Sequence, residues 1–126
     1  MNVTLKALLI VFVGSGIGGV ARYGMQTWFV KLYPHSFPIG TFIVNILGCF
    51  LIGLFYEISH KASFITPEWR LALTTGLCGG FTTFSTFAYE NLSLLKSGNY
   101  MVFTLYIILS VVLGIAGVFV GIYIGR

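Results

Sequence analysis

Four long apolar stretches, separated by short polar segments, fill most of the chain. They cover about residues 5–30, 38–59, 67–95 and 100–125. An α-helix needs roughly 20 apolar residues to cross a bilayer, and each stretch reaches that length. The pattern therefore predicts an all-α, polytopic membrane protein with four transmembrane helices in one domain, residues 1–126.

The third stretch contains a motif that is unusual for a membrane helix. It reads GGFTTFSTF over residues 79–87, so two glycines are followed by four hydroxyl residues with phenylalanines between them. Non-helical backbone at membrane depth is tolerated only where protein or a water-filled cavity receives its polar groups. We therefore predict that helix 3 is broken near its middle and holds something polar there. The alternative is a glycine kink that only lets helices pack closely.

Small residues recur at helical spacing in the first and last stretches. Gly14 and Gly18 lie one turn apart in the first, and Gly117, Gly121 and Gly125 follow each other at four-residue intervals in the last. Such small-residue faces favour close helix–helix contact in membranes.

Composition supports a membrane protein and argues against several other classes. Hydrophobic residues make up 57% of the chain and charged residues 8%, against roughly a quarter charged in soluble proteins. The basic residues are scattered singly, so we expect no nucleic-acid partner. The three carboxylates form no recognisable acid–base or nucleophile arrangement, and we expect no enzyme.

The distribution of Lys and Arg bears on orientation. With both termini on one side, that side would carry Lys6, Lys61, Arg70 and Arg126, and the other Lys31 and Lys96. This gives at most a weak bias by the positive-inside rule. Insertion in both orientations, and hence an antiparallel dimer, is one interpretation; a poorly specified orientation is the other.

Candidate ligand groups favour an anion. Arg22 adds a positive charge within the first stretch, and the ring edges of Phe84 and Phe87 are weakly positive. Further hydrogen-bond donors come from Asn45, Ser85, Thr86, Tyr106 and Ser110. Ordinary packing of the phenylalanines and an interhelical hydrogen bond of Asn45 are the structural alternatives. Backbone carbonyls released between residues 79 and 83 would instead suit a small cation.

The motifs together resemble the Fluc family of fluoride channels. The resemblance rests on GGFTTFSTF with Glu90, on Ala21-Arg22-Tyr23 at the end of the glycine-rich first span, and on Gly40-Thr41-Phe42 followed by Asn45 and Gly48. It implies a multi-pass protein of the bacterial plasma membrane, an antiparallel homodimer with two pores, and passive export of fluoride.

The resemblance also implies roles for individual residues. Phe84 of one subunit and Phe87 of the other would line each pore, with Asn45 as a nearby donor. Arg22 and Glu90 would belong to the vestibule. The polar residues expected along the pathway are Ser85, Thr86, Tyr106 and Ser110, and a structural sodium ion would be held by the backbone carbonyls of Gly79 and Thr82.

Two other functions are weighed against a fluoride channel. A small dual-topology multidrug or cation transporter should carry a carboxylate in its first helix, whereas this chain has Arg22 there. A non-conducting membrane assembly subunit would explain the small-residue faces, but it leaves the clustered donors without a role.

Overall fold

The computed structural model describes residues 3–126, and every regular element in that part of the chain is helical. In order, these elements are α1 (Leu5–Leu32), α2 (Ile39–Lys61), α3 (Pro67–Leu71), a π-helical segment (Ala72–Cys78), α4 (Gly79–Phe81), α5 (Phe84–Lys96) and α6 (Tyr100–Gly125). Of these, α1, α2 and α6 are each long and apolar enough to cross a membrane. The elements from α3 to α5 follow one another between α2 and α6 and form the third passage in chain order, which is interrupted. The predicted four-helix membrane fold is confirmed, with bounds that differ only at the helix ends.

The small-residue face of α1 packs on the π-helical segment. Gly14 and Gly18 are the buried residues of α1. A Cβ atom added at Gly14 would lie 2.9 Å from the Ala72 carbonyl oxygen, and one at Gly18 would collide with the Leu77 carbonyl. Glycine is required because the two backbones touch, as the spacing predicted.

The helices α2 and α6 form the most extensive pair. A Cβ atom at Gly121 would collide with the Phe50 carbonyl, and one at Gly53 with the Val118 carbonyl. Gly125 in turn packs against Glu57. Contacts advance in the same direction along both helices, so α2 and α6 run parallel and lie close enough for backbone contact.

The break in the third passage lies at two threonines rather than at the glycines. Thr82 (φ −89°, ψ 158°) and Thr83 (φ −149°, ψ 118°) are extended, whereas Gly79 to Phe81 are helical. Gly80 serves packing instead, because a Cβ atom there would collide with the Ser15 carbonyl of α1. The predicted break in helix 3 is confirmed. Gly80 provides the close contact with α1, and the extended chain begins two residues later, at Thr82.

Candidate functional site

Asn45, on α2, faces the break and forms hydrogen bonds with both the N–H and the carbonyl of one residue in it. The Thr83 N–H donates to Asn45 Oδ1 at 2.8 Å, and Asn45 Nδ2 donates to the Thr83 carbonyl at 3.1 Å. The carboxamide thus pairs with the Thr83 backbone much as a neighbouring peptide group would. An extended residue at membrane depth keeps both its hydrogen bonds in this way.

The start of α5 is organised by Thr83. Its hydroxyl accepts a 3.2 Å hydrogen bond from the Thr86 N–H, which makes Thr83 the N-cap of α5. The same hydroxyl lies 3.1 Å from the Thr86 hydroxyl and 3.3 Å from the Ser85 hydroxyl. The predicted pathway residues Ser85 and Thr86 therefore form one hydroxyl cluster at the break.

Arg22 reaches the break from α1. Its Nε donates to the Gly80 carbonyl at 3.1 Å, which supplies a donor to a carbonyl near the end of α4. In the described part of the chain, the one salt bridge joins Lys6 to Glu68. Arg22 and Glu90, both predicted for the vestibule, therefore do not pair with each other.

Glu90 is instead the acceptor of a hydrogen-bond network between helices. Thr41 donates to its Oε2 at 2.9 Å and Tyr106 to its Oε1 at 2.8 Å, while Gln26 Nε2 donates to the Thr41 hydroxyl at 3.0 Å. The network joins α1, α2, α5 and α6. Gln26 was missed at the sequence level, although it lies four residues after Arg22 and hence on the same face of α1.

A cavity of about 370 Å³ lies beside the break. Phe84 and Phe87 line it with ring centroids 5.8 Å apart, and Asn45 and Ser110 face it from α2 and α6. Within residues 3–126 the buried Ser110 hydroxyl has no hydrogen-bond partner. The structure thus brings four of the seven predicted pathway residues to one cavity. Tyr106 lies behind it, with its ring centroid 4.9 Å from that of Phe87.

The break is uncovered on one side. Phe84 is 78% exposed, and Gly79 and Ser85 are also exposed. Exposed phenylalanines are ordinary on a membrane helix, but non-helical backbone at membrane depth is tolerated only where protein or a water-filled cavity receives its polar groups.

Comparison with known proteins identifies the family. Residues 9–122 match the family described as CrcB-like protein, Camphor Resistance (CrcB). This chain belongs to the CrcB-like family. As a CrcB-like protein with these helices, it is a multi-pass protein of the cell membrane.

Individual relatives cover almost the whole CrcB-like chain. A protein of Phocaeicola vulgatus is 54% identical over 122 residues, which is 97% of this chain and 100% of the relative. One of Leptospira interrogans is 48% identical over 118 residues (94% and 93%), and one of Coxiella burnetii is 47% identical over 120 residues (94% and 97%). Each of these relatives is named a fluoride-specific ion channel FluC.

Proposed function

We propose that this protein is a fluoride-selective ion channel that lets fluoride leave the cytoplasm passively. The observation that carries the proposal is the unpartnered Ser110 hydroxyl in the described structure, which faces a cavity walled by the Phe84 and Phe87 rings and by Asn45. A buried hydroxyl without a partner costs free energy, and an anion in the cavity would accept its hydrogen. The names of the relatives point to the same ion.

The cavity offers several weak contacts instead of one strong one. Ring edges, a hydroxyl and the second N–H of Asn45 can each face an anion, and none of them carries a full charge. Conduction requires an ion to enter and to leave, so a set of weak partners suits a pathway better than a tight site. The Thr83, Ser85 and Thr86 hydroxyls at the start of α5 continue the row of possible donors.

We assign Arg22 and Glu90 to the vestibule region flanking this cavity. Arg22 holds the Gly80 carbonyl, and Glu90 is held in place by Thr41 and Tyr106. Each is therefore fixed by hydrogen bonds to other helices. Both shape the entrance to the pathway by position and charge.

The functional unit in this proposal is an antiparallel homodimer with two pores. The exposed Phe84, Gly79 and Ser85 leave the break open on the side where a second copy would cover it. Phe84 of one subunit and Phe87 of the other would then line each pore. The even distribution of Lys and Arg would permit insertion in both orientations.

A structural sodium ion fits the break through the backbone carbonyls of Gly79 and Thr82. In a continuous helix these oxygens would accept from the N–H groups of Thr83 and Thr86. Those N–H groups donate instead to Asn45 Oδ1 and to the Thr83 hydroxyl. Carbonyl oxygens are ligands that hard cations prefer, and two copies would supply four.

A channel accounts for more of the site than the two rivals do. A proton-coupled or organic-cation carrier would need a carboxylate in its first helix. The helix α1 contains no Asp or Glu. In a purely structural subunit, the buried Ser110 hydroxyl, which has no partner within the described residues, would have no functional explanation. We therefore also propose that the protein catalyses no chemical reaction: fluoride, trapped as the anion after entering acidified cells as HF, only moves down its gradient.

The proposal is tested by ion efflux from proteoliposomes. Purified protein should release fluoride rapidly from vesicles under a gradient, while chloride release should match that of protein-free vesicles. Chloride efflux equal to fluoride efflux, or fluoride efflux no faster than in protein-free vesicles, would contradict it.

A further inference from the structure

The double hydrogen bond between Asn45 and Thr83 has a specific effect on the neighbouring carbonyls. The Thr83 N–H would close on the Gly79 carbonyl if the helix continued. Because Asn45 Oδ1 accepts that N–H at 2.8 Å, the Gly79 carbonyl loses its usual donor. The second contact, from Asn45 Nδ2 to the Thr83 carbonyl at 3.1 Å, fixes the orientation of the same peptide unit.

Three other carbonyls around the break have donors within the protein. The Cys78 carbonyl accepts from the Thr82 N–H and from the Thr82 hydroxyl, each at 3.0 Å. The Gly80 carbonyl accepts from Arg22 Nε. The hydrogen bonds are thus divided: Cys78, Gly80 and Thr83 have protein donors, whereas the helical donors of Gly79 and Thr82 bond elsewhere.

We propose that Asn45 is a positioning residue for the cation site, in that it captures the Thr83 N–H and so keeps the Gly79 carbonyl free to face a cation. This inference rests on the sodium site proposed above. Asn45 lies on α2, which packs in backbone contact with α6. Its two hydrogen bonds therefore hold the Thr83 backbone in a fixed orientation. One Nδ2 hydrogen serves Thr83, and the other remains for the cavity.

Without Asn45, the helical hydrogen bond from the Thr83 N–H to the Gly79 carbonyl would tend to form across the break. A buried N–H without an acceptor is costly, so without Asn45 the Thr83 N–H would bond the nearest available acceptor. The Gly79 carbonyl is the acceptor that helix geometry offers. Its capture would remove one ligand per subunit from the cation site.

The matched pair of variants is Asn45→Leu and Asn91→Leu. Leucine has nearly the shape of asparagine but neither a donor nor an acceptor. Asn91 lies on α5 and does not line the cavity, and its Nδ2 donates to the Phe87 carbonyl at 2.9 Å instead of bonding a residue between 79 and 83. The readouts are the Na⁺ dependence of thermal unfolding, with K⁺ and choline as comparators, and binding of ²²Na⁺ to the purified protein.

We expect Asn45→Leu to raise the Na⁺ concentration needed for half-maximal binding by about ten- to a hundredfold, as loss of outer-shell partners does in metal sites. The Asn91→Leu variant should bind Na⁺ as the unmodified protein does. If Asn45→Leu does not yield folded protein, Asn45→Ser, whose side chain is too short to bond both groups of Thr83, carries the same expectation.

The outcomes separate the inference from the proposal beneath it. An unmodified protein that neither binds ²²Na⁺ nor responds to Na⁺ would reject the sodium site and this inference with it. A Na⁺-responsive protein whose Asn45 variants bind Na⁺ unchanged would reject the role of Asn45 alone.

Discussion

The Tyr106 hydroxyl donates a 2.8 Å hydrogen bond to Glu90 Oε1 and thereby ties α6 to the helix that follows the break. Thr41 donates to the other carboxyl oxygen at 2.9 Å, so both oxygens of Glu90 have a partner. Tyr106 is fully buried, and its ring also packs edge-on against Phe87. One side chain therefore connects the carboxylate to the aromatic wall of the cavity.

This network makes Glu90 sensitive to a change of one atom. In Glu90→Gln the amide places a donor where Thr41 or Tyr106 also donates, and one of them loses its acceptor. An unsatisfied buried hydroxyl costs about 1–3 kcal/mol, so we expect lower thermal stability and reduced fluoride efflux. Glu68→Gln is the control, because Glu68 lies at the exposed start of α3. Equal behaviour of both variants in unfolding and efflux assays would show that the network has no such role.

Substitution of the two phenylalanines at the cavity distinguishes a packing role from direct contact with the ion. Phe87→Leu and Phe84→Leu should cost at most about 1–2 kcal/mol as packing changes, which leaves the protein folded. Leucine lacks the positive ring edge, and each 1.4 kcal/mol added to the barrier slows transit about tenfold. We therefore expect folded protein with sharply reduced efflux.

The matched control for the phenylalanines is Phe119→Leu. Phe119 is exposed on α6 and does not line the cavity. It should keep its efflux rate. If both cavity variants conduct fluoride at the unmodified rate, these rings are packing residues and the pore lies elsewhere.

Ser110 provides the most direct test of an anion in the cavity. Its hydroxyl has no partner among the described residues, so Ser110→Ala removes an unsatisfied group and should leave thermal stability unchanged or higher. If the hydroxyl donates to fluoride, a hydrogen bond to a charged group worth about 1.5–3 kcal/mol is lost. Efflux should then fall by about ten- to a hundredfold. A variant that is destabilised but conducts normally would show the opposite, a structural role.

Gly80 tests whether the glycines of the motif act through packing. In Gly80→Ala the added Cβ atom would collide with the Ser15 carbonyl, and we expect a loss of about 1–3 kcal/mol. Gly24→Ala is the control, because a Cβ atom there meets no atom of the described chain within 4 Å. Thermal unfolding of both variants in detergent compares them. Equal melting temperatures would show that α1 tolerates the shift.

The orientation of the subunits can be measured with C-terminal tags. If the dimer is antiparallel, tags should appear on both sides of the membrane in similar amounts. Adding lysines to one side should force a single orientation and abolish efflux, until a partner biased the other way is co-expressed. A fully active protein with all its tags on one side would contradict the antiparallel dimer.

Much of the fold follows from the sequence because hydrophobic runs of membrane-spanning length leave few alternatives. The positions of the four passages and the interruption of the third were predicted in this way. The exact place of the break was not, because it depends on a partner 38 residues away: Asn45 bonds the Thr83 backbone and so shifts the extended residues past the glycines. The π-helical segment Ala72–Cys78 likewise had no recognisable signal in the pattern.

The same division holds for the site. Hydropathy and residue chemistry are local properties, so the membrane class, the broken third helix and the candidate residues could be predicted without the structure. Which of those residues meet depends on how the helices pack. The packing brings Tyr106 and Thr41 to Glu90, Arg22 to Gly80 and Asn45 to Thr83. It leaves Ser110 facing the cavity. Hydrogen bonds between helices depend on the rotation and depth at which the helices pack, and backbone contacts at glycines such as Gly14 and Gly121 fix both.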